Sequence, residues 1–178
     1  RSFFGADSTA AGVTSQGATF LDPGKIRHAG KGPTHLCMSN KKNMKLRPFV
    51  EELNKAGFET HIDDNIEDLI CSKLIINVGI NALTALTGLQ NGRLLDFENT
   101  KSLMKDLVEE AVAVAKKKGI TLTYDDPLNT VFDVAKKTAT NRSSMLQDFD
   151  RGTISEIEFI NSAIVREGEA LGVPTPVN

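Results

Sequence analysis

Metal-binding and disulfide-forming residues are scarce in this chain. Its 178 residues include two cysteines, Cys37 and Cys71, and three histidines. The cysteines form no CxxC pair, and two isolated thiols make no disulfide framework. Reduced thiols in a cytoplasmic protein are therefore expected. His28, His35 and His61 show no HxxxH or HxH spacing. With no Cys/His cluster, no metal site is predicted. Charge of one sign is also lacking. A net charge of −2 gives no global field to draw the chain to nucleic acid or to acidic membranes. The longest apolar run, around Leu74, is interrupted by Asn77 and Asn81 and reads as too short to span a bilayer. No signal peptide is visible. The chain opens on Arg1 instead of Met, so a processed or truncated start is expected.

Several local chemical signatures are missing as well. Gly30-Lys-Gly32 continues as Pro-Thr-His, with neither a third glycine nor a helix, so it reads as a turn and not as a dinucleotide-binding loop. There is no P-loop, no GxSxG and no HExxH.

What is present changes character near residue 64. Before it, short apolar segments are divided by glycine and proline: Ala11–Phe20, Lys25–His28 and Thr34–Met38. These predict strands joined by turns. Residues 43–56 carry a helical pattern closed by Gly57, and Phe58–Ile62 reads as another strand. After residue 64 the pattern is helical. Asp64 is the expected cap of a long helix to about Thr87. A second helix runs from about Asn99 to Lys118, where three lysines before Gly119 complement the helix dipole. Asp125 or Asp126 caps a third, with Pro127 in its first turn. Thr153 or Ser155 opens a fourth, running through Ile157, Ile160 and Ile164 to Gly172. Strands followed by helices suggest two domains. The first holds too few strands for a sheet of its own and reads as the end of a longer domain.

The strongest functional clue lies in Cys71-Ser-Lys-Leu-Ile-Ile-Asn-Val-Gly-Ile-Asn-Ala-Leu-Thr-Ala-Leu86. Lys73, Asn77 and Asn81 are four residues apart. Four residues turn an α-helix by roughly 400°, so the three side chains share one narrow stripe. An ammonium and two carboxamides among Leu, Ile and Val are costly to bury without polar partners. Either the stripe grips a polar ligand, or it makes interhelical hydrogen bonds on a partly exposed helix. Three further groups could join it. Asn141-Arg-Ser-Ser-Met-Leu-Gln-Asp148 offers hydroxyls, or simply a capped turn. Arg151–Asn161 offers Glu156, an acid in a helical first turn that could pair with Lys73. Leu89-Gln-Asn-Gly-Arg93 is a turn carrying Asn91.

Taken in order, Gly12-Val-Thr-Ser-Gln-Gly-Ala18, His28-Ala-Gly-Lys-Gly-Pro-Thr34, Lys73–Asn77, Asn81–Ala85, Asn91-Gly92, Ser143–Asp148, Ser155–Asn161 and Gly172-Val-Pro-Thr-Pro-Val-Asn178 resemble the ketopantoate reductase (2-dehydropantoate 2-reductase) family. The resemblance implies an α/β remnant plus an all-α region. Residues 1–64 would be the end of a Rossmann-type NADP-binding domain. Residues 65–178 would be a helical catalytic domain, like the C-terminal domain of 6-phosphogluconate dehydrogenase, with the family's active site between the two. It implies NADPH as cofactor, a small oxoacid as substrate, and a possible homodimer, with no nucleic-acid or membrane partner. Lys73 would be the general acid. Asn77, Asn81 and Asn91 would bind substrate, Ser144 its carboxylate. Glu156 would orient Lys73 and reach the cofactor, whose other contact would be the backbone at Ala18. Two departures are small: Ala82 stands where proline is usual, and Ser162 where glycine is common. Two other readings compete: a related hydroxyacid dehydrogenase with another oxoacid, and a non-catalytic helical module.

Overall fold

A computed structural model describes residues 5, 7–38 and 42–178. The chain divides into two compact units, Arg1–Ile70 and Cys71–Asn178, and the division falls inside one long helix.

Among the described residues the first unit holds β1 (Ala10–Thr14), β2 (Gly17–Asp22), β3 (Lys25–Gly30), β4 (Thr34–Met38), α1 (Arg47–Lys55) and β5 (Thr60–Ile62), ahead of the long helix. The apolar stretch 11–20 is thus two strands and not one. β2 and β3 form a separate antiparallel hairpin. β4 is the centre of a three-stranded sheet, antiparallel to β1 and parallel to β5. A parallel pair needs a crossover, and α1 provides it. Pro48 lacks the N–H that a continuous helix would use, and the turn before it is a 3-10 segment, Asn43–Leu46. Asn54 ties the helix to β5 by donating to Thr60 O at 2.9 Å and accepting from Thr60 N at 3.0 Å. A small core of Met38, Leu46 and Val50, with Leu36 and Ile62 against it, fills the space beneath.

Helices make the second unit, and the described strands all precede them. The long helix α2 runs Ile66–Thr87. It starts one residue later than an Asp64 cap would place it. Asp64 instead accepts from Asn43 Nδ2 at 2.7 Å, while Asn65 at the helix mouth donates to Asp68 at 2.7 Å. At 22 residues α2 is long and apolar enough to cross a membrane, which corrects the expectation that the run is too short. Its apolar residues nevertheless line the core: Ile75, Val78, Ile80 and Leu83 are buried. Gly79 lets two helices approach, since a Cβ there would lie 2.8 Å from Val131 and 2.9 Å from Val108.

α3 (Glu98–Lys118) supplies Met104, Leu107, Val108 and Ala111 to the same core. It ends as expected on Gly119, whose φ of 78° is a left-handed cap that lysine could adopt only with strain. α4 (Pro127–Lys137) is capped by Asp126, which accepts from Asn129 N at 3.0 Å. α5 (Ser144–Asp150) is a two-turn helix where a capped turn was one reading.

The fourth predicted helix is broken. Ile157–Phe159 is a single 3-10 turn, Ile160 leaves the helical region at φ −109°, ψ −88°, and α6 spans only Asn161–Leu171. The 3–4 spacing of Ile157, Ile160 and Ile164 fits one continuous helix equally well. Burial of both Ile160 and Asn161 favours the kinked path.

Candidate active site

α2 presents its stripe with graded burial. Lys73 is exposed, Asn77 half-buried and Asn81 buried. One end of the stripe meets α5. Asn81 Nδ2 donates to Ser144 Oγ at 3.3 Å. Beside it, Thr84 Oγ1 donates to the Asn81 carbonyl at 2.8 Å, and lies 2.6 Å from Ser143 Oγ. Because the Thr84 proton is engaged, Ser143 donates to Thr84. Ser143 Oγ in turn accepts from Leu146 N at 3.1 Å, which caps α5.

The paired serines therefore divide two tasks. Ser143, 7% exposed, closes the helix end and locks it to α2. Ser144 is exposed, and its oxygen is taken by Asn81, so its own proton is left to donate. A hydroxyl in that state suits an anionic oxygen. Asn77, one turn along the stripe, keeps its carboxamide without a side-chain partner among the described residues. The sequence reading gives Thr84 no role and names Ser143 only as one of a pair of serines. Thr84 lies seven residues beyond Asn77 and three beyond Asn81, so extending the stripe by one turn would have reached it.

The remaining predicted residues sit elsewhere. Asn91 begins a 3-10 turn, Asn91–Asp96. It is 7% exposed, and its Nδ2 donates to Thr138 Oγ1 at 2.9 Å while its Oδ1 is buried without a partner. With its N–H donating to Asn141 O at 3.0 Å, it ties this turn to the end of α4 and the loop that follows. Glu156 lies before the 3-10 turn at 157 and not in the first turn of a helix. Its side chain is exposed, and among the described residues no ion pair or hydrogen bond joins it to Lys73. The predicted Lys73–Glu156 pair is thus not formed. The break puts Glu156 in a bend, at φ −84° and ψ 20°, directly before the 3-10 turn, where a continuous helix would have fixed its direction.

Ala18 belongs to the other unit. It pairs with His28 in the β2–β3 hairpin, and the register shifts between Gly17 and Ala18. Such an irregularity interrupts the ladder and frees backbone groups for other partners.

The family model described as Ketopantoate reductase PanE/ApbA C terminal matches residues 65–178. The chain belongs to the ketopantoate reductase family. Among curated relatives of this family, the 2-dehydropantoate 2-reductase of Archaeoglobus fulgidus is 35% identical over 168 residues, 94% of this chain and 56% of the relative. The solved PanE/ApbA family ketopantoate reductase from Ralstonia eutropha JMP134 matches with a TM-score of 0.84 at 35% identity, over 94% of this chain and 55% of that one. D-mandelate dehydrogenase, solved in complex with NADH, has a TM-score of 0.88 at 24% identity, over 99% of this chain and 60% of its own. At that identity the likeness is one of fold. The chain spans little more than half the length of these curated relatives.

Proposed function

We propose that the protein reduces the carbonyl of 2-dehydropantoate to the alcohol of pantoate, with Lys73 as the proton donor. The contact between Asn81 and Ser144 carries this reading. It sets a hydroxyl with a free proton beside the end of a stripe that already holds an ammonium and an unpartnered carboxamide. These are the groups a 2-oxoacid needs: a donor for its carboxylate, a donor for its carbonyl and a cation where negative charge develops.

NADPH is the proposed cofactor. Residues 1–64 are read as the end of its Rossmann-type domain, a reading supported by the parallel β4–α1–β5 connection. The irregular backbone at Gly17 and Ala18 fits the group, because it leaves main-chain polar atoms outside the hairpin ladder. When bound, NADPH supplies the hydride that adds to C2. Lys73 stabilises the oxygen of that carbonyl as charge builds on it, then gives it a proton. Asn77 and Asn81 hold the substrate's oxygens, and Ser144 donates to its carboxylate. Glu156, exposed and without a side-chain partner among the described residues, is the proposed carboxylate for reaching the cofactor. Asn91 supports the site through the loop it ties down.

A second reading keeps the chemistry and changes the substrate. The fold likeness to D-mandelate dehydrogenase favours it, since that architecture carries another 2-hydroxyacid. A panel of 2-oxoacids, followed by loss of NADPH absorbance in the naturally produced protein, decides between them. Preference for 2-dehydropantoate supports the first reading. Preference for an aromatic oxoacid replaces it with the second, and no turnover with any oxoacid overturns both.

A further inference from the structure

Ser72 is 3% exposed and directly precedes the exposed Lys73. Two consecutive residues of the loop between α3 and α4 bind it. Thr123 N donates to Ser72 Oγ at 3.0 Å, and the Tyr124 hydroxyl donates to the Ser72 carbonyl at 2.8 Å. The loop is itself fixed at both ends. On one side Ile120 N donates to Ala115 O at 3.0 Å behind the Gly119 cap. On the other, Asp126 caps α4. Thr123 and Tyr124 thus form a short strap across α2, anchored to the helices on either side of it.

A helical carbonyl ordinarily accepts from the N–H four residues ahead. The phenol adds a tertiary bond to that carbonyl and restrains rotation and sliding of α2 at this turn. A second polar restraint on α2 from another element is at Asn81 and Thr84, where α5 docks. The two anchorages bracket the stripe, Lys73 and Asn77 lying between them. Orientation matters here because a lysine ammonium reaches far from the helix axis. A turn of about 10° moves an atom about 8 Å from the axis by about 1.4 Å, and a displacement of about 1 Å can cost a reaction about 100-fold.

We propose that the Thr123–Tyr124 strap sets the orientation of α2 at Lys73, and that Tyr124 is a positioning residue for the proton donor. This rests on the reading of Lys73 as general acid. Tyr124 itself touches no reacting atom. Burial, with the neighbouring Cys71 adding, pushes its hydroxyl up to about 12, so it stays a donor throughout the neutral range.

The test is Tyr124→Phe in the naturally produced protein, which keeps the ring and removes the donor. Two measurements are made: hydrogen exchange along α2, and the pH profile of 2-dehydropantoate reduction. Exchange should quicken at residues 72–77 and stay unchanged at 81–87. kcat should fall about tenfold, the limb of its pH profile belonging to Lys73 should move, and KM for NADPH should hold. Unchanged exchange overturns the proposal. Quickened exchange with wild-type kcat and pH profile also overturns it, leaving the strap a structural tie only. If the parent protein does not reduce 2-dehydropantoate, the functional reading falls and the positioning role with it, while the exchange pattern still reports whether the strap restrains α2. Should Tyr124→Phe fail to fold, Ser72→Ala, which removes the acceptor of Thr123, takes its place with the same readouts.

Discussion

Asn81 donates its amide hydrogen to Ser144 across 63 positions of sequence, and that bond fixes which of two adjacent serines can serve a ligand. Ser143 is committed on both sides, to Leu146 N and to Thr84. Ser144 accepts from Asn81 and keeps its proton. Substitutions at these neighbours should therefore separate stability from binding.

Ser143→Ala removes a helix cap and strips a buried hydroxyl, Thr84, of its partner. A loss of about 1–2 kcal/mol in unfolding free energy is expected by chemical denaturation. Ser144→Ala should leave stability within about 0.5 kcal/mol, as for other exposed positions. It should instead raise KM for the oxoacid. Equal stability losses in the two variants would contradict the division of labour.

Lys73→Ala should lower kcat for 2-dehydropantoate by about 10²–10⁴ through loss of proton donation and charge stabilisation. Lys73 is exposed, so thermal unfolding should barely move. Near-normal turnover would remove Lys73 from the mechanism.

Gly79→Ala should destabilise the helical unit. The added methyl would sit 2.8 Å from a Val131 methyl and 2.9 Å from a Val108 methyl, and both valines are buried. Overpacking of this kind costs about 1–3 kcal/mol, against a gain of under about 1 kcal/mol in helix propensity. A midpoint in urea equal to or above that of the parent would show that α3 and α4 yield without cost.

Tyr124 should make folding sensitive to alkali. Its folded pKa lies near 12 against 10.0 for the free phenol, so the unfolded chain ionises first as pH rises. Above pH 10 the unfolded state binds fewer protons than the folded one, and stability falls with pH. The contribution is complete below pH 10.0 and is lost as pH passes about 12. Thermal melts from pH 9 to 12 should show a steeper decline for the parent than for Tyr124→Phe. Parallel declines would place the phenol in an ordinary aqueous setting.

Much of the helical region was legible in the sequence because its signals are local. Gly119 follows three lysines and an apolar face of period 3.6. Asp126-Pro127 is a cap with a first-turn proline. Each depends on residues within one helical turn. The stripe was legible for the same reason, since its spacing alone puts Lys73, Asn77 and Asn81 on one face. Where local signals were degenerate, the sequence reading failed. The isoleucines at 157, 160 and 164 fit a straight helix as well as a kinked one. Asp64 and Asn65 are both competent caps, and only the pull of Asn43 on Asp64 separates them.

By itself, then, the sequence determined the succession of strands and helices and the polar line along α2, both products of backbone periodicity. The tertiary structure decided which polar groups meet. It gave Asn81 to Ser144, bound Ser143 to Thr84, laid Thr123 and Tyr124 over Ser72, and left Glu156 apart from Lys73. Such pairings span 50 to 60 residues or more, and no local propensity carries them. They follow from how the core of α2, α3 and α4 closes, down to a glycine at 79 that lets two valines rest against the helix backbone.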